Sequence, residues 1–195
     1  MGNIFYIMVN SASGKYMIYS ILSKDESLGL KRLVLYTTRP IRAGEENGRE
    51  YYFTDENKLE EFRKTNRLIE SRAYHTVHGI WTYFTADDGQ INPQGTDYLG
   101  IGTLESYRKM KEYYGEETVC PIYIQVEDGE RLQRALIREK QQENPRYAEM
   151  CRRFLADQED FSEENILAAG IRIRFENDDL DNCVRNIIKY IKSVT

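Results

Sequence analysis

An uninterrupted apolar run near the N-terminus constrains the fold of this chain more than any other feature. Every residue of the segment Ile4–Met8 is apolar or aromatic, which is typical of a strand buried on both faces of a parallel sheet. The loop that follows ends in Gly14-Lys15, and residues 16–22 have helical character. A strand, a loop with Gly-Lys and a helix form the context of a phosphate-binding loop, because the amides at a helix N-terminus attract an anion.

The phosphate-binding pattern G-x-x-x-x-G-K-[ST] is only partly present in residues 9–16, the phosphate loop, which read VNSASGKY. Gly14 and Lys15 are kept, but Val9 stands at the first glycine and Tyr16 at the hydroxyl that usually ligates Mg²⁺. Because a β-branched residue disfavours positive φ, we expect Val9 to distort the loop. Ser-Gly-Lys alone is a weak signal that gains weight from its place in the chain.

A second anion-binding feature lies in residues 37–53, the arginine loop, which read TTRPIRAGEENGREYYF. Pro40 fixes its own φ and keeps the preceding Arg39 extended, so that Arg39 and Arg42 are predicted to lie on a stiff loop. Planar guanidinium groups suit a phosphate better than lysine does. Residues 50–53 are predicted to form a strand. The alternative interpretation is an exposed loop with two solvated arginines.

The rest of the chain alternates between strand-like and helix-like segments, which predicts a parallel α/β sheet. A mainly β block at roughly residues 37–88 interrupts the alternation, and we interpret it as an inserted subdomain. The predicted strands comprise residues 33–36, 98–102, 119–126 and 171–176, and the predicted helices comprise residues 56–64, 104–114 and 129–139, a helix that starts at Asn144-Pro145 and a C-terminal helix with Leu180 on its inner face.

Composition restricts the class of partner. The chain of 195 residues is 41% hydrophobic and 30% charged, which suits one globular domain, and its net charge of −5 argues against a nucleic-acid partner. We expect no membrane partner, since no apolar run reaches the ~20 residues that span a bilayer, and no signal peptide, since the start Met1-Gly2-Asn3 lacks a basic region and runs straight into a strand. His75 and His78 are predicted on opposite faces of a strand, which disfavours a metal site. Reduced, mostly buried thiols in a cytoplasm are expected for the distant cysteines Cys120, Cys151 and Cys183.

A third source of positive charge flanks the polar segment 139–144. Arg134 and Arg138 are four residues apart on one predicted helix, and Arg153 lies on the next. Phosphoryl transfer depends on positioning and on positive charge around the moving group, so these arginines are candidates for a mobile lid. The alternative is a solvated helix surface with ordinary ion pairs. The partners on such a surface would be Glu130, Glu139 or Glu149.

The arginine loop resembles the GMP-phosphate loop of the guanylate kinase family, which reads T-T-R-x-P-R-x-G-E-x-x-G-x-x-Y-x-F. This chain has its proline one place early, and the resemblance extends from Ile4 to about Ile191. It implies an α/β fold with a parallel-sheet P-loop kinase core, an inserted small mixed-β GMP-binding subdomain and a helical lid. The implied boundaries are 1–36 and 98–195 for the core, about 37–88 for the subdomain and about 134–153 for the lid.

The resemblance also implies roles for individual residues. Glu70 would accept hydrogen bonds from guanine N1–H and the 2-amino group, two adjacent donors that adenine lacks, and Thr85 would contact the purine edge. The GMP phosphate would be bound by Arg39, Arg42, Tyr51 and Tyr83. ATP would be bound by Ser11, Ala12, Ser13, Gly14, Lys15 and Asn177. The catalytic residues would be Lys15, which bridges the β- and γ-phosphates, and Arg134, Arg138 and Arg153, which neutralise the transferred group.

The implied activity is ATP-dependent phosphorylation of GMP to GDP with Mg²⁺. Departures from the family pattern are expected to impair ATP and Mg²⁺ handling. Besides the changes in the phosphate loop, Gly100 and Gly102 stand where many members carry a D-x-D pair, so that no metal-ligating residue is assigned. Two alternatives remain open. One is a weak or inactive binding module that takes a nucleotide or phosphopeptide in the GMP pocket, and the other is a kinase for a different nucleotide.

Overall fold

The structure, a computed structural model, describes residues 2–76, 79–92 and 94–195. The strands are β1 (Ile4–Val9), β2 (Lys31–Arg32), β3 (Tyr36–Thr37), β4 (Tyr52–Phe53), β5 (Leu68–Thr76), β6 (Gly79–Ala86), β7 (Tyr98–Gly102), β8 (Val119–Gln125) and β9 (Arg174–Glu176). The helices are α1 (Lys15–Lys24), α2 (Glu56–Lys64), α3 (Leu104–Tyr114), α4 (Asp128–Lys140), α5 (Tyr147–Asp160), α6 (Glu163–Ala168) and α7 (Leu180–Val194), and a 3₁₀ turn spans Glu26–Leu28.

A five-stranded parallel sheet in the order β2-β7-β1-β8-β9 confirms the α/β class. β1 lies at its centre with all six residues buried, as the apolar run predicts. Tyr6 and Met110 belong to the apolar cluster on one face, and Phe5 and Ile187 belong to the cluster on the other. At the carboxyl end of the sheet β1 runs into the phosphate loop, and this edge is where ligands bind in open α/β sheets.

A second, four-stranded sheet in the order β4-β3-β6-β5 accounts for the mainly β block. Phe84 is fully buried in it and stacks on Tyr36, with 5.1 Å between the ring centroids. The β5–β6 register shifts between Leu68 and Glu70, and this bulge leaves the adjacent Ile69 and Glu70 both buried. The second sheet thereby aims a carboxylate inward. The residue boundaries of core, subdomain and lid stay a prediction.

Several predicted strand boundaries are wrong. The strand expected at 33–36 is not formed, because the chain leaves the first sheet after Arg32 and enters the second at Tyr36. The side-chain amide of Gln90 replaces a strand partner there, since it binds the Val34 N–H and the Val34 carbonyl, each at 3.0 Å. The strands expected at 50–53 and 171–176 are limited to β4 and β9.

The helix expected to start at Asn144-Pro145 starts at Tyr147, and α6 was not predicted at all. No residue of α5 is fully buried, so this helix lies on the surface rather than in the core. Its Cys151 is exposed whereas Cys183 is buried, so the cysteines are not mostly buried. No helix in the described part of the chain is long and apolar enough to cross a membrane.

Candidate active site

The arginine loop is organised around Arg39, whose side chain is 3% exposed. Its guanidinium forms a bidentate ion pair with Glu45, with Nη2–Oε1 and Nη1–Oε2 distances of 2.7 and 3.0 Å, and its Nε donates to the Tyr83 hydroxyl at 3.2 Å. The hydrogen bonds between Arg39 and Glu45 raise the pKa of the guanidinium and lower the pKa of the carboxyl. Arg39 is therefore charged and oriented by the protein itself.

The local backbone explains how Arg39 and Arg42 come to differ. Thr37 Oγ1 accepts the Arg39 N–H at 3.1 Å, and Gly44 takes a φ of 84°, which turns the chain so that Glu45 faces Arg39. Arg42 is exposed, and its backbone N–H donates to Glu45 Oε2 at 2.8 Å. The predicted arginine pair thus consists of one buried, oriented side chain and one side chain that faces solvent.

Two of the predicted tyrosines lie beside Arg39. Arg39 Cζ is 5.7 Å from the centroid of the Tyr51 ring, and the Tyr51 and Tyr83 rings meet edge to face with 5.4 Å between their centroids. Burial raises the pKa of Tyr51 to about 12, so its hydroxyl stays protonated and able to donate. The structure thus brings three of the four predicted phosphate contacts together in one place.

Glu70, Arg72 and Thr85 form what we call the base site. Glu70 is 6% exposed, and its Oε1 accepts from the Thr85 hydroxyl at 2.8 Å, which follows from the β5–β6 register that pairs the two residues. Arg72 donates to Glu70 through Nε at 3.0 Å and through Nη2 at 3.4 Å. The sequence analysis did not identify Arg72. The available signal was its spacing from Glu70, because residues that are two apart on a strand lie on the same face.

Tyr6 of β1 fills the space beneath the base site, beside two glycines of β7. A Cβ added at Gly100 would lie 2.7 Å from Tyr6 Cδ2, and one added at Gly102 would meet the Tyr6 hydroxyl. The Tyr6 hydroxyl donates to Ser106 Oγ at 2.9 Å. Burial, and then the nearby Glu70 carboxylate, raise the pKa of Tyr6, which keeps the phenol neutral. The two glycines are therefore required by the phenol that packs on them.

The phosphate loop departs from the usual pattern without distorting its first position. Val9 ends β1, pairs with Ile124 of β8 and is 5% exposed, so it keeps extended geometry. The left-handed conformations fall on Ala12, with a φ of 65°, and on Gly14, with a φ of 82°. The strain expected at Val9 therefore lies at Ala12, a residue with a Cβ in a region that favours glycine. Tyr16 is 71% exposed.

Asp157 of α5 contacts the phosphate loop as an anion would. Its Oδ2 accepts the Ser11 N–H at 2.7 Å and accepts from Arg131 Nη2 at 3.2 Å. Arg131 is 2% exposed, binds the Ser11 carbonyl through Nε at 3.3 Å and places its Cζ 4.7 Å from the centroid of the Phe154 ring. Sequence reasoning missed both charged residues, and no local signal distinguishes them from other charged residues on a helix.

Lys15 occupies the first position of α1. Burial lowers the pKa of Lys15, the nearby Arg72 lowers it further, and Asp157 opposes this shift. The Lys15 ammonium is therefore close enough to interact electrostatically with Arg72 of the base site and with the Asp157 carboxylate that contacts the phosphate loop. Asn177 donates through Nδ2 to the Ser13 carbonyl at 3.0 Å, which holds the loop against the end of the sheet.

Two of the three arginines predicted for the lid form ion pairs on their own helices. Arg134 Nε donates to Glu130 at 2.8 Å, and Arg153 Nε donates to Glu149 at 2.8 Å. Their side chains are 33% and 60% exposed, so these pairs match the surface arrangement considered as the alternative. For a catalytic role, both guanidinium groups would have to exchange a carboxylate for a phosphate.

Arg138 lines two cavities. One, of about 420 Å³, lies between α4 and α5 and is also lined by Arg153. The other, also of about 420 Å³, is lined by Arg134, Gly14 and Asn177. Because the second cavity borders the phosphate loop and offers a side-chain amide, its size and position suit the base and ribose of a nucleotide.

The residues present do not fit a magnesium ion held by the protein. Tyr16 faces solvent, and Thr103 caps α3 with its hydroxyl. Among residues 2–76, 79–92 and 94–195, no group of three or more His, Cys, Asp or Glu side chains is placed to hold a metal. His75 is exposed, and His78 lies outside the described residues. Mg²⁺ would then belong to the substrate, held by phosphate oxygens and water.

The fold and these groups define a class of protein. A central parallel strand that runs into a Gly-Lys loop and a helix, with a second sheet that presents a buried arginine, is the architecture of an α/β protein of the phosphate-loop type. The family profile described as guanylate kinase matches residues 3–194. The chain belongs to the guanylate kinase family, which confirms the resemblance carried by the arginine loop.

Individual relatives agree with this assignment. The guanylate kinase of Bordetella pertussis is 33% identical over 118 residues, which cover 59% of this chain and 52% of that protein, so the match spans about half the length of this relative. The guanylate kinase of Porphyromonas gingivalis is 29% identical over 194 residues, 98% of this chain and 97% of that protein. The crystal structure of guanylate kinase from Anaplasma phagocytophilum shares the fold, with a TM-score of 0.64 and 18% identity over 98% of this chain and 85% of that chain.

Proposed function

We propose that this protein transfers the γ-phosphoryl group of ATP to GMP, giving ADP and GDP. The observation that carries the proposal is the buried Arg39, which Glu45 and Tyr83 orient beside Tyr51 on a loop that resembles the GMP-phosphate loop. Membership of the guanylate kinase family supports the reaction class. The cytoplasmic location and the lack of a nucleic-acid or membrane partner stay predictions from composition.

On the acceptor side, the GMP phosphate would bind Arg39 in place of the Glu45 carboxylate, which now occupies two of its donors. Arg42 would turn from solvent to a second phosphate oxygen. The Tyr51 and Tyr83 hydroxyls would donate to the same phosphate and hold it in line for transfer. Glu70 and Thr85, paired at 2.8 Å in the base site, would contact the purine edge.

On the donor side, Lys15 would bridge the β- and γ-phosphates at the start of α1, where the orphan amides of a helix N-terminus favour an anion. The backbone of residues 11–14 would surround the phosphates, and Asn177 would lie beside the adenine. The arginines of α4 and α5 would neutralise the transferred group once the two helices close and exclude water. These arginines are Arg134, Arg138 and Arg153.

A steady-state assay tests the proposal directly. The full chain is incubated with ATP, Mg²⁺ and, in turn, GMP, dGMP, AMP and UMP, and nucleoside diphosphate formation is followed. We expect turnover of GMP well ahead of AMP and UMP. If AMP or UMP is phosphorylated and GMP is not, the protein is a kinase for a different acceptor nucleotide.

One observation favours the alternative of a binding module without turnover. Asp157 occupies the Ser11 amide of the phosphate loop at 2.7 Å, where a carboxylate opposes a bound triphosphate. If calorimetry shows GMP binding and the assay shows no product from any acceptor, the binding module becomes the better assignment. Calorimetry with GMP and the steady-state assay together therefore distinguish a kinase from a binding module.

A further inference from the structure

We propose that Arg72 sets the base specificity of this site, so that it takes 6-oxopurine nucleoside monophosphates as a class, with or without a 2-amino group. The inference rests on the proposed function, because it concerns the acceptor nucleotide of that reaction. Arg72 follows Glu70 by two residues on the same face of β5, and the two side chains are 14% and 3% exposed. The base site therefore contains a neutral ion pair rather than a free carboxylate.

The hydrogen bonds already made by Glu70 limit what its carboxylate can accept from a base. Its Oε1 accepts from the Thr85 hydroxyl at 2.8 Å and from Arg72 Nη2 at 3.4 Å, which uses both lone pairs of that oxygen. Its Oε2 accepts from Arg72 Nε at 3.0 Å, which leaves one lone pair. The carboxylate can therefore accept one ring N–H without losing a donor, but it cannot accept a 2-amino group as well.

Arg72 also brings donors that the carboxylate lacks. Its Nη1 is directed to Thr103 Oγ1 at a long 3.4 Å, and Arg72, Thr103 and Tyr74 line a cleft of about 450 Å³. A guanidinium N–H next to a carboxylate lone pair is complementary to a C6 carbonyl next to N1–H, an edge that guanine and hypoxanthine share. Adenine presents the reverse, an acceptor at N1 and an amino donor at C6, and would leave both protein groups unpaired.

The floor of the site preserves this arrangement. Tyr6 packs on Gly100 and Gly102, and its neutral hydroxyl donates to Ser106. A carboxylate side chain at either glycine position would collide with the phenol. The guanidinium of Arg72 therefore keeps Glu70 as its ionic partner, and its remaining edge is available to the ligand.

The wild-type chain gives the first test. Calorimetric titration with GMP, inosine monophosphate and AMP in the absence of ATP yields the three dissociation constants, and steady-state assays with ATP and Mg²⁺ yield kcat/KM for each acceptor. We expect GMP and inosine monophosphate to agree within about 10-fold in both measurements, and AMP to be at least about 100-fold weaker, because a mismatched polar edge leaves buried groups unpaired.

Variants of Arg72 give the second test. In Arg72→Met the freed Glu70 carboxylate accepts both N1–H and the 2-amino group, so the preference for GMP over inosine monophosphate should widen by about 10- to 100-fold, the value of one hydrogen bond to a charged group. Arg72→Lys should give an intermediate ratio, since an ammonium group cannot span the carboxylate and also donate to a carbonyl. The matched control is Arg174→Met, which removes an arginine paired with Glu163 and should leave the ratio unchanged.

Each outcome decides the inference. It is overturned if the wild-type chain prefers GMP to inosine monophosphate by more than about 10-fold, or if the ratio is the same in wild type and in the Arg72 variant that a circular dichroism melt shows to be folded. If GMP binds and is phosphorylated while inosine monophosphate is rejected, the role of Arg72 fails and the proposed function stands. If GMP does not bind at all, both fail.

Discussion

The arginine loop and the phosphate loop differ in how far the protein itself has organised them for an anion. In the arginine loop, Arg39 is buried and held by Glu45 and Tyr83. In the phosphate loop, the helix N-terminus with Lys15 is kept, but Asp157 occupies a backbone amide at 2.7 Å. The arginine loop thus presents an oriented cation, whereas one backbone amide of the phosphate loop is already bound to a carboxylate.

Each region contains an internal carboxylate where a phosphate would bind, and the two carboxylates have opposite consequences. Glu45 lies six residues from Arg39 on a surface loop, so it orients the arginine and can turn away when a phosphate arrives. Asp157 lies on α5 and is held by the buried Arg131, so its contact with the phosphate loop is tied to the position of that helix. We therefore expect acceptor binding to be independent of α5 and donor binding to be coupled to it.

The largest effect that separates the two regions is expected for Lys15→Met. Loss of the ammonium at the start of α1 should lower kcat by about 100- to 1,000-fold, because one positioned electrostatic contact to the transferred group carries that much of the rate. The GMP dissociation constant from calorimetry should be unchanged. Lys24→Met, at the other end of α1, is the control. A kcat unaffected by the loss of Lys15 would show that the phosphate loop does not serve the donor.

Arg39→Ala should weaken GMP binding at the arginine loop without affecting ATP binding at the phosphate loop. Removing a buried, charged hydrogen-bond donor should weaken GMP binding by about 1.5–3 kcal/mol, or roughly 10- to 150-fold, while ATP binding measured by calorimetry stays the same. Arg49→Ala in the same loop is the control, since that side chain is 42% exposed and pairs with Glu46 and Glu50. An equal loss of ATP affinity in Arg39→Ala would mean that the two regions are not independent.

Asp157→Asn should improve ATP binding at the phosphate loop, whereas the two preceding substitutions impair function. The amide keeps the size of the side chain and an acceptor for Ser11 and Arg131, but it removes a negative charge that lies near Lys15 and would face the ATP phosphates. We expect the KM for ATP to fall by about 10-fold, which corresponds to roughly 1.4 kcal/mol of relieved repulsion. Glu159→Gln, an exposed acid on the same helix, controls for net charge. A higher KM in Asp157→Asn would show that the carboxylate serves the donor site by orienting Arg131.

The parts of the fold that sequence reasoning predicted are those whose residues carry a local pattern. β1, β7 and α3 were predicted at their observed positions or within one residue, because an apolar run or a helical period extends through each of them. β2 and β3 contain two residues each and depend on their partner strands, so they have no periodicity of their own, and only the second half of the strand predicted at 50–53 forms, as β4. The segment 33–36 was mistaken for a strand because its backbone partner is the side chain of Gln90, distant in sequence.

The same distinction applies to the candidate site. Arg39, Tyr51 and Tyr83 lie together as expected, since a short motif and a strand register place them. Asp157 and Ser11 are 146 residues apart, and no sequence pattern links a helix acid to a loop amide across that separation. Arg72 is intermediate, because its spacing from Glu70 was visible but its effect on the carboxylate depends on the packing around it.

The smallest expected effect is in the segment 139–144, between α4 and α5. Glu139 is 7% exposed and accepts from the Arg146 N–H and from Gln142 Nε2. No residue of α5 is fully buried, so this helix can move with little loss of buried apolar surface. Amide hydrogen exchange in 139–144 should slow by about 10-fold or less when ATP and GMP are both present, because closure orders the segment. GMP alone should leave it unchanged, since Arg39 is oriented without α5, and β1 is the internal reference because its amides are buried in every state. If GMP alone protects the segment as strongly as both nucleotides do, the acceptor region acts on the lid directly, and the independence of the two loops is lost.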